Sequence, residues 1–223
     1  MEMTEAAARE LALSHRPILY RDAADPFPAR YLGYTVFTER RRSESFPKWA
    51  PDPAALGLAA VVEYAVYYDY DIQHMYDLEH VWAGVDGEGR LRECWSSFHG
   101  MRLHASGVSS FRAEGGRPVL YAQPGKHALL PDPELFGLVP DLRDACRETA
   151  GGGLLIPGFL SDRLATDETQ NARIRQYIRD HYSFTPAMEF IREDIPENQY
   201  IPWPELLSLI PELVEEEIRK IGG

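Results

Sequence analysis

Val61-Val62-Glu63-Tyr64-Ala65-Val66-Tyr67-Tyr68 is the stretch on which the fold class turns. β-Branched and aromatic residues at this density suit a pleated, buried surface and predict a strand. A second apolar run covers His80 to Val85, and Asp86-Gly87-Glu88-Gly89 signals a turn before a third, Leu91 to His99. Further out, Arg117 to Ala122 reads as another strand, and Leu154-Leu155-Ile156 is a short apolar run behind the hinge Gly151-Gly152-Gly153. Upstream, Arg16 to Tyr34 predicts short extended pieces joined at Pro26, Pro28 and Gly33, and the polar, proline-bearing residues 38–54 read as a loop.

Helices flank this centre. Thr4 can cap a helix reaching His15, and Pro140 suits the first turn of one reaching Glu148, with Leu142 and Cys146 four apart. Thr166 can cap a third, with Asp167 and Glu168 in its first turn and Ile174, Tyr177, Ile178 and His181 on one face. Pro204 to Ile221 is amphipathic, and Pro211 is expected to break or restart it. The prediction is one α+β domain over residues 1–223: central β-sandwich-like antiparallel sheets with peripheral N- and C-terminal helices. Its β-rich part spans about 16–130 and its helical part about 138–221.

Composition narrows the function classes. The 223 residues carry 35 Asp+Glu against 23 Lys+Arg, a formal charge of −12, which argues against nucleic acid as a partner. No window approaches the ~20 apolar residues of a membrane span. The start, MEMTEAAARELALSHRP, has no apolar signal region, so the expectation is a soluble cytoplasmic protein with Cys94 and Cys146 left as thiols.

The chemistry concentrates between the two apolar runs, in Asp69-Tyr-Asp-Ile-Gln-His-Met-Tyr-Asp-Leu-Glu-His80. Buried carboxylates at this density repel one another unless protonated, hydrogen-bonded or neutralised by a cation. A divalent metal does this most directly, with Mg, Mn, Ca, Zn and Fe all open. If a strand starts at Asp77, then Asp77 and Glu79 share one face, His80 takes the other, and the preceding loop can bring Asp71 and His74 to the first. The expected ligands are thus Asp71, His74, Asp77 and Glu79, with Asp69 and His80 holding them in orientation. A solvated surface loop is the alternative, opposed by the interleaved Tyr67, Tyr68, Tyr70, Ile72, Met75, Tyr76 and Leu78. His99 ends one predicted strand and Lys126-His127 follow another, positions from which they can reach a shared rim. No phosphate loop accompanies Gly125-Lys126, and no serine sits in a nucleophile elbow.

His74-Met-Tyr-Asp77-Leu-Glu79 resembles the H-x-x-D-x-E spacing in the GHRHDWE heptapeptide of necrosis- and ethylene-inducing peptide-like proteins. Tyr67-Tyr68-Asp69-Tyr70-Asp71 is similar to the strand end supplying another acid there, Ser97-Phe98-His99-Gly100 to S-x-H-G, and RPVLY…GKHAL to a later strand. Arg16-Pro-Ile-Leu-Tyr-Arg-Asp…Pro-Phe-Pro resembles the opening of a broader vacuolar protein sorting-associated set. The resemblance covers roughly 16–130. It implies a β-sandwich with a divalent metal at one rim, and in its toxin members binding of plant sphingolipid head groups.

Two functions follow as expectations. One is a metal-dependent, hydrolase-type enzyme on a small polar substrate, with His99 or His127 as acid/base and Lys126 stabilising negative charge. The other is a non-catalytic module whose cation clamps a glycan or lipid head group, with Tyr70, Tyr76 and Trp95 as stacking surface. A metal that only pins the loop is the third.

Overall fold

The computed structural model describes residues 3–140, 142–146 and 151–222. In chain order the regular elements are α1 (Glu5–Ser14), β1 (Ile18–Asp22), β2 (Tyr31–Phe37), β3 (Ala60–Tyr70), β4 (His74–Val85), β5 (Leu91–Phe98) and β6 (Met101–His104). β7 (Arg112–Glu114), β8 (Arg117–Ala122), β9 (Leu129–Leu130), α2 (Leu142–Ala145) and β10 (Gly153–Leu154) follow. The chain closes with α3 (Glu168–Tyr182), β11 (Phe190–Arg192), β12 (Tyr200–Pro202) and α4 (Trp203–Gly222). The large sheet runs β12-β2-β3-β4-β5-β6 with β10 on β4, and the small one β11-β1-β8-β7 with β9 on β8. This is the expected α+β architecture.

β3 reads as an unbroken apolar run because both of its faces are covered. Val62, Tyr64, Val66 and Tyr68 turn inward and meet Leu19, Leu120, Ala122 and Leu129 of the small sheet. On the other face Val61 packs with Trp82 and Phe46, while Ala65 and Tyr67 lie under Ile174 and Ile178 of α3 and Leu206, Ile210 and Leu213 of α4. Residues 38–54 are irregular, as expected. They are nevertheless packed: Ser43, Ser45 and Phe46 are buried against the outer face of the large sheet.

Most ladders are antiparallel, but β1–β8, β12–β2 and β10–β4 are parallel. The last third of the chain therefore supplies strands as well as helices, β11 pairing with β1 and β12 with β2. Three-residue strands leave no alternation long enough to recognise in sequence.

Two helix ends differ from expectation. Asp167, not Thr166, caps α3, accepting from the Gln170 amide at 2.7 Å. Thr166 donates instead to Asn171 Oδ1 at 2.9 Å, and the same oxygen accepts from the Leu154 amide at 3.0 Å, tying β10 to α3. α4 runs unbroken through Pro211. The proline removes the N–H that Leu207 would otherwise receive four residues back. Arg163 Nη1 donates to that carbonyl at 3.2 Å, and burial of Leu206, Ile210, Leu213 and Val214 holds the turn in place. The helix expected over 140–148 is described only as α2, and residues 141 and 147–150 lie outside the described residues.

Cys94 and Cys146 are free and buried, and burial pushes the Cys146 thiol up to about 12. Among the described residues no helix is long and apolar enough to cross a membrane.

Candidate functional site

β4 begins at His74 rather than Asp77, because β10 pairs alongside His74 and Met75 and extends the strand backwards. Downstream, β5 pairs with β4 from Val81 onward. Between these partners, from Tyr76 to His80, no described strand pairs with that edge of β4. Tyr76 itself sits at φ 71, a left-handed conformation that costs a non-glycine residue on the order of 1–3 kcal/mol. The break in the edge opens a cleft of about 170 Å³. Five consecutive residues, Tyr76 to His80, line it, so both faces of the strand contribute. Ser97 and Gly100 form one wall, Ser45 and Phe46 another, and Leu155, Pro157 and Phe159 a third.

Asp77 and Glu79 share the inward face with Val81 and Ala83, since Asp77 lies opposite Tyr68 and Glu79 opposite Val66. Ser97 Oγ donates to Glu79 Oε2 and accepts from the His80 amide at 2.6 Å, taking the place of a ladder bond where β5 leaves β4. Burial first, and Asp77 second, push the Glu79 carboxyl up to about 8.

His127 arrives from the turn between β8 and β9. Gly125 adopts φ +71 there, and a Cβ would sit 3.1 Å from Cys146 Sγ and 3.2 Å from Ile72, so the position needs glycine. Its carbonyl accepts from the Ile72 amide at 2.7 Å and its own amide donates to Asp25 Oδ2 at 2.6 Å, docking the turn on the loop after β3 and on the β1–β2 connection. His127 Nδ1 donates to Asp77 Oδ2 at 2.9 Å, and its ring stacks on Tyr68 at 3.9 Å. Nε2 stands 3.9 Å from Asp25 Oδ2, an ion pair without a hydrogen bond. Burial favours the neutral ring, but Asp25 and Asp77 together outweigh it and raise the His127 pKa to about 10. The two carboxylates thus favour the protonated ring of His127.

Asp71 is occupied by its own loop. Oδ1 accepts from the Gln73 and His74 amides at 2.5 and 2.6 Å, and Oδ2 lies 3.3 Å from His74 Nε2 and 3.6 Å from Lys126 Nζ. His74 Nδ1 donates to the Tyr76 carbonyl at 2.9 Å. Burial raises the Asp71 carboxyl, and His74 opposes the rise.

The expected residues thus divide. Asp71, His74 and Lys126 form one group of contacts and Asp77 and His127 another, with Glu79 beside Asp77, and the two groups are near enough for Asp77 and His127 to act on the Asp71 charge. Asp69 turns to the outer face and pairs with Arg30 at 2.8 Å, away from Asp71. His80 also faces outward, stacked on Trp82 at 5.5 Å and edge-on to Phe46 at 5.2 Å, and burial lowers its pKa to about 3. His99 is exposed in the β5–β6 turn, touches Phe98, and does not line the cleft. Tyr70 donates to Glu217 at 3.0 Å and Trp95 stacks on His104, so of the three aromatics only Tyr76 lines the cleft.

Asp25 and Glu63 went unrecognised in the sequence. Asp25 is a lone acid beside Pro26-Phe27-Pro28, and Glu63 an acid inside a strand; neither has a spacing signal. Glu63 is 1 % exposed, and its carboxylate accepts from Ser43 at 2.9 Å, Ser45 at 2.8 Å and Trp82 Nε1 at 2.6 Å.

The four expected ligands have the donor chemistry of a divalent-cation site, but as they stand they do not form a cage. Among the described residues no group of three or more His, Cys, Asp or Glu side chains is arranged to hold a metal ion. Lys126 and His127 already face Asp71 and Asp77. Compared with known proteins, the chain matches no family model, no curated protein and no solved structure.

Proposed function

We propose that the cleft at the broken edge of β4 binds a small polar molecule and that Asp77 and Glu79 handle its protons, a hydrolase-type acid–base site. The observation that carries this reading is the opening itself: two buried carboxyl groups line a cleft otherwise walled largely by Phe46, Leu78, Leu155, Pro157 and Phe159. Two neighbouring acids in unlike surroundings are the arrangement from which proton donor and acceptor are made. Glu79, raised to about 8 and fixed by Ser97, is the donor. Asp77, held by the His127 imidazolium behind it, is the acceptor. A cytoplasmic setting goes with this reading, supported by two buried free thiols.

The test is turnover of a panel of glycosides, phosphoesters and carboxylic esters by the protein and by Glu79→Gln. The expected result is one class hydrolysed, with a loss of about 100-fold or more in the variant. No turnover of any class overturns the catalytic reading.

A second reading keeps the divalent cation and the head-group or glycan binding that the family resemblance implies, without catalysis. It is favoured by His74 Nε2 standing 3.3 Å from Asp71 Oδ2, two donor atoms side by side on the rim. Elemental analysis followed by calcium, magnesium, manganese and zinc titration tests it. Saturable uptake lost in Asp71→Asn supports it, and no uptake removes it.

A further inference from the structure

We propose that the polar group received by the cleft is the head of a single-chain amphiphile, whose hydrocarbon chain lies in a second hollow that continues the cleft past Phe159. This rests on the reading that the cleft takes a polar molecule, and it adds what that molecule carries.

Continuity is the first observation. A hollow of about 390 Å³ lies between residues 42–47 on one side and Phe159, Trp203 and Leu207 on the other. The cleft is smaller, about 170 Å³, and Phe159 lines it as well, opposite Ser45 and Phe46. The two hollows thus share one ring, and one stretch of chain, residues 42–47, walls both. That stretch is anchored: Ser43 and Ser45 donate to the buried Glu63, and Arg42 Nε donates to the Pro47 carbonyl at 2.8 Å. A molecule longer than the cleft has the neighbouring hollow to extend into.

Polarity is the second. Asp77 and Glu79 line the cleft, where a polar head meets them. The shared wall is apolar: Leu155 and Pro157 lead to Phe159, and Phe159 to Trp203, Leu207 and Pro47. Leu155 is 42 % exposed, and the Phe159 ring meets the Trp203 ring edge-on at 5.6 Å. Methylene groups laid along such a strip remove it from water, and the gain grows with each carbon added.

Dimensions and charge choose the occupant. The second hollow falls within the roughly 300–1,000 Å³ of small-molecule sites, and the cleft falls below that range. Charged residues stand in both: Asp77 and Glu79 in the cleft, Arg42 and Glu44 in the second hollow. A lipid bilayer laid over the strip has to desolvate all four, which is costly, and a chain of net charge −12 is repelled by an anionic one. One hydrocarbon chain passing along the strip leaves the charged groups in water. A wholly polar ligand leaves the strip itself in water.

The test is a series with one head and growing chains: 1-butanol, 1-hexanol and 1-octanol, titrated into the full chain. NMR follows the amide resonances of Ser97 at the cleft and of Phe159 and Leu207 at the second hollow. The expected result is saturable shifts at all three, with binding tightened about threefold or more for each two methylenes added. Leu207→Ser should weaken 1-octanol by about threefold or more and 1-butanol by less, and Leu207→Met should restore it. Leu138→Ser, at a leucine 80 % exposed and outside both hollows, should change neither. Shifts at Ser97 that gain nothing from chain length overturn the chain and leave the polar-ligand reading standing. A chain-length gain at Phe159 and Leu207 with Ser97 silent separates the two hollows and overturns the inference. Silence at all three overturns it too, while turnover by Glu79→Gln still decides the acid–base reading. Co-sedimentation with phosphatidylcholine vesicles, with the same shifts at Phe159 and Leu207, assigns the strip to a lipid surface and overturns the single-chain occupant.

Discussion

The two faces of β3 and β4 each bury an acid and a histidine, and they treat them in opposite ways. On the outer face, Glu63 is saturated by three neutral donors and His80 lies among rings, its pKa lowered to about 3. On the inner face, His127 is sandwiched by Asp25 and Asp77 and raised to about 10, while Glu79 has one serine donor and an acid for a neighbour. Burial alone would make both histidines neutral. Fixed carboxylates make the difference, so the protonation of a core histidine here is a property of its neighbours rather than of depth. A saturated carboxylate in a sealed box is architecture, whereas an undersupplied one at a broken strand edge is available to a ligand.

Exchanging the histidines for a ring of similar shape breaks the comparison most sharply. His127→Phe keeps the stack on Tyr68 but leaves Asp25 and Asp77 without their cation. We expect a loss of about 3–5 kcal/mol in urea unfolding, the usual cost of removing one partner from a buried charge pair. His127 also gives the inner face a pH signature. A histidine raised from 6.5 to about 10 stabilises the fold fully below pH 6.5, and that stability is lost as the pH rises through 10. Glu79, an acid raised from 4.5 to about 8, acts in the same sense: stability falls between pH 4.5 and 8. The outer face opposes both at low pH, because His80 binds its proton only when unfolded between about pH 3 and 6.5, and stability therefore rises through that window. Unfolding curves from pH 3 to 10 should show a rise and then a fall, with the alkaline fall much reduced in His127→Phe.

Glu63→Ala sharpens the outer-face side. It strands Ser43, Ser45 and the Trp82 indole, and we expect a loss of about 2–4 kcal/mol in urea unfolding, at about 1–3 kcal/mol for each buried group that finds no new partner. Gly125→Ala probes the link between β3 and the His127 turn. With φ +71 and Ile72 and Cys146 within 3.2 Å, it should cost about 1–3 kcal/mol by thermal unfolding and shift the His127 ring resonances. His80→Phe is the smallest change expected, within about 1.5 kcal/mol, because ring packing on Trp82 and Phe46 is kept and one unpartnered nitrogen is removed. A loss as large as that of His127→Phe would mean that the outer face, too, depends on a charge.

The sandwich was legible because its central strands are long. β3 and β4 carry eleven and twelve residues, enough for composition and turn signals to speak. The polar run Asp69–His80 was legible as a place where chemistry gathers, because acids beside apolar strands are rare without a reason. Sequence could not supply its partition. Asp69 and Asp71 are two apart, yet Asp69 meets Arg30 on one face and Asp71 meets Lys126 in the loop, since the strand ends at Tyr70 and alternation stops with it. Nor could it supply Asp25, which reaches Gly125 and His127 across about 100 residues with no periodicity to announce it. The cleft was hidden for a similar reason: an unpaired stretch of strand edge is a relation between β5 and β10, which lie more than fifty residues apart.

β1 has a temporal consequence. Its neighbours are β8, with Ile18 beside Val119, and β11, with Tyr20 beside Arg192. A strand laid down near the start of the chain must wait for one partner about 100 residues later and another about 170 residues later. Closing loops of that length is slow, and folding rates fall as contacting residues lie further apart in sequence. The β3–β4–β5 meander can assemble from adjacent segments in the meantime, leaving its inward face, with Asp77 and Glu79, open to water until the small sheet arrives. On this schedule the candidate site is among the last parts of the molecule to be enclosed.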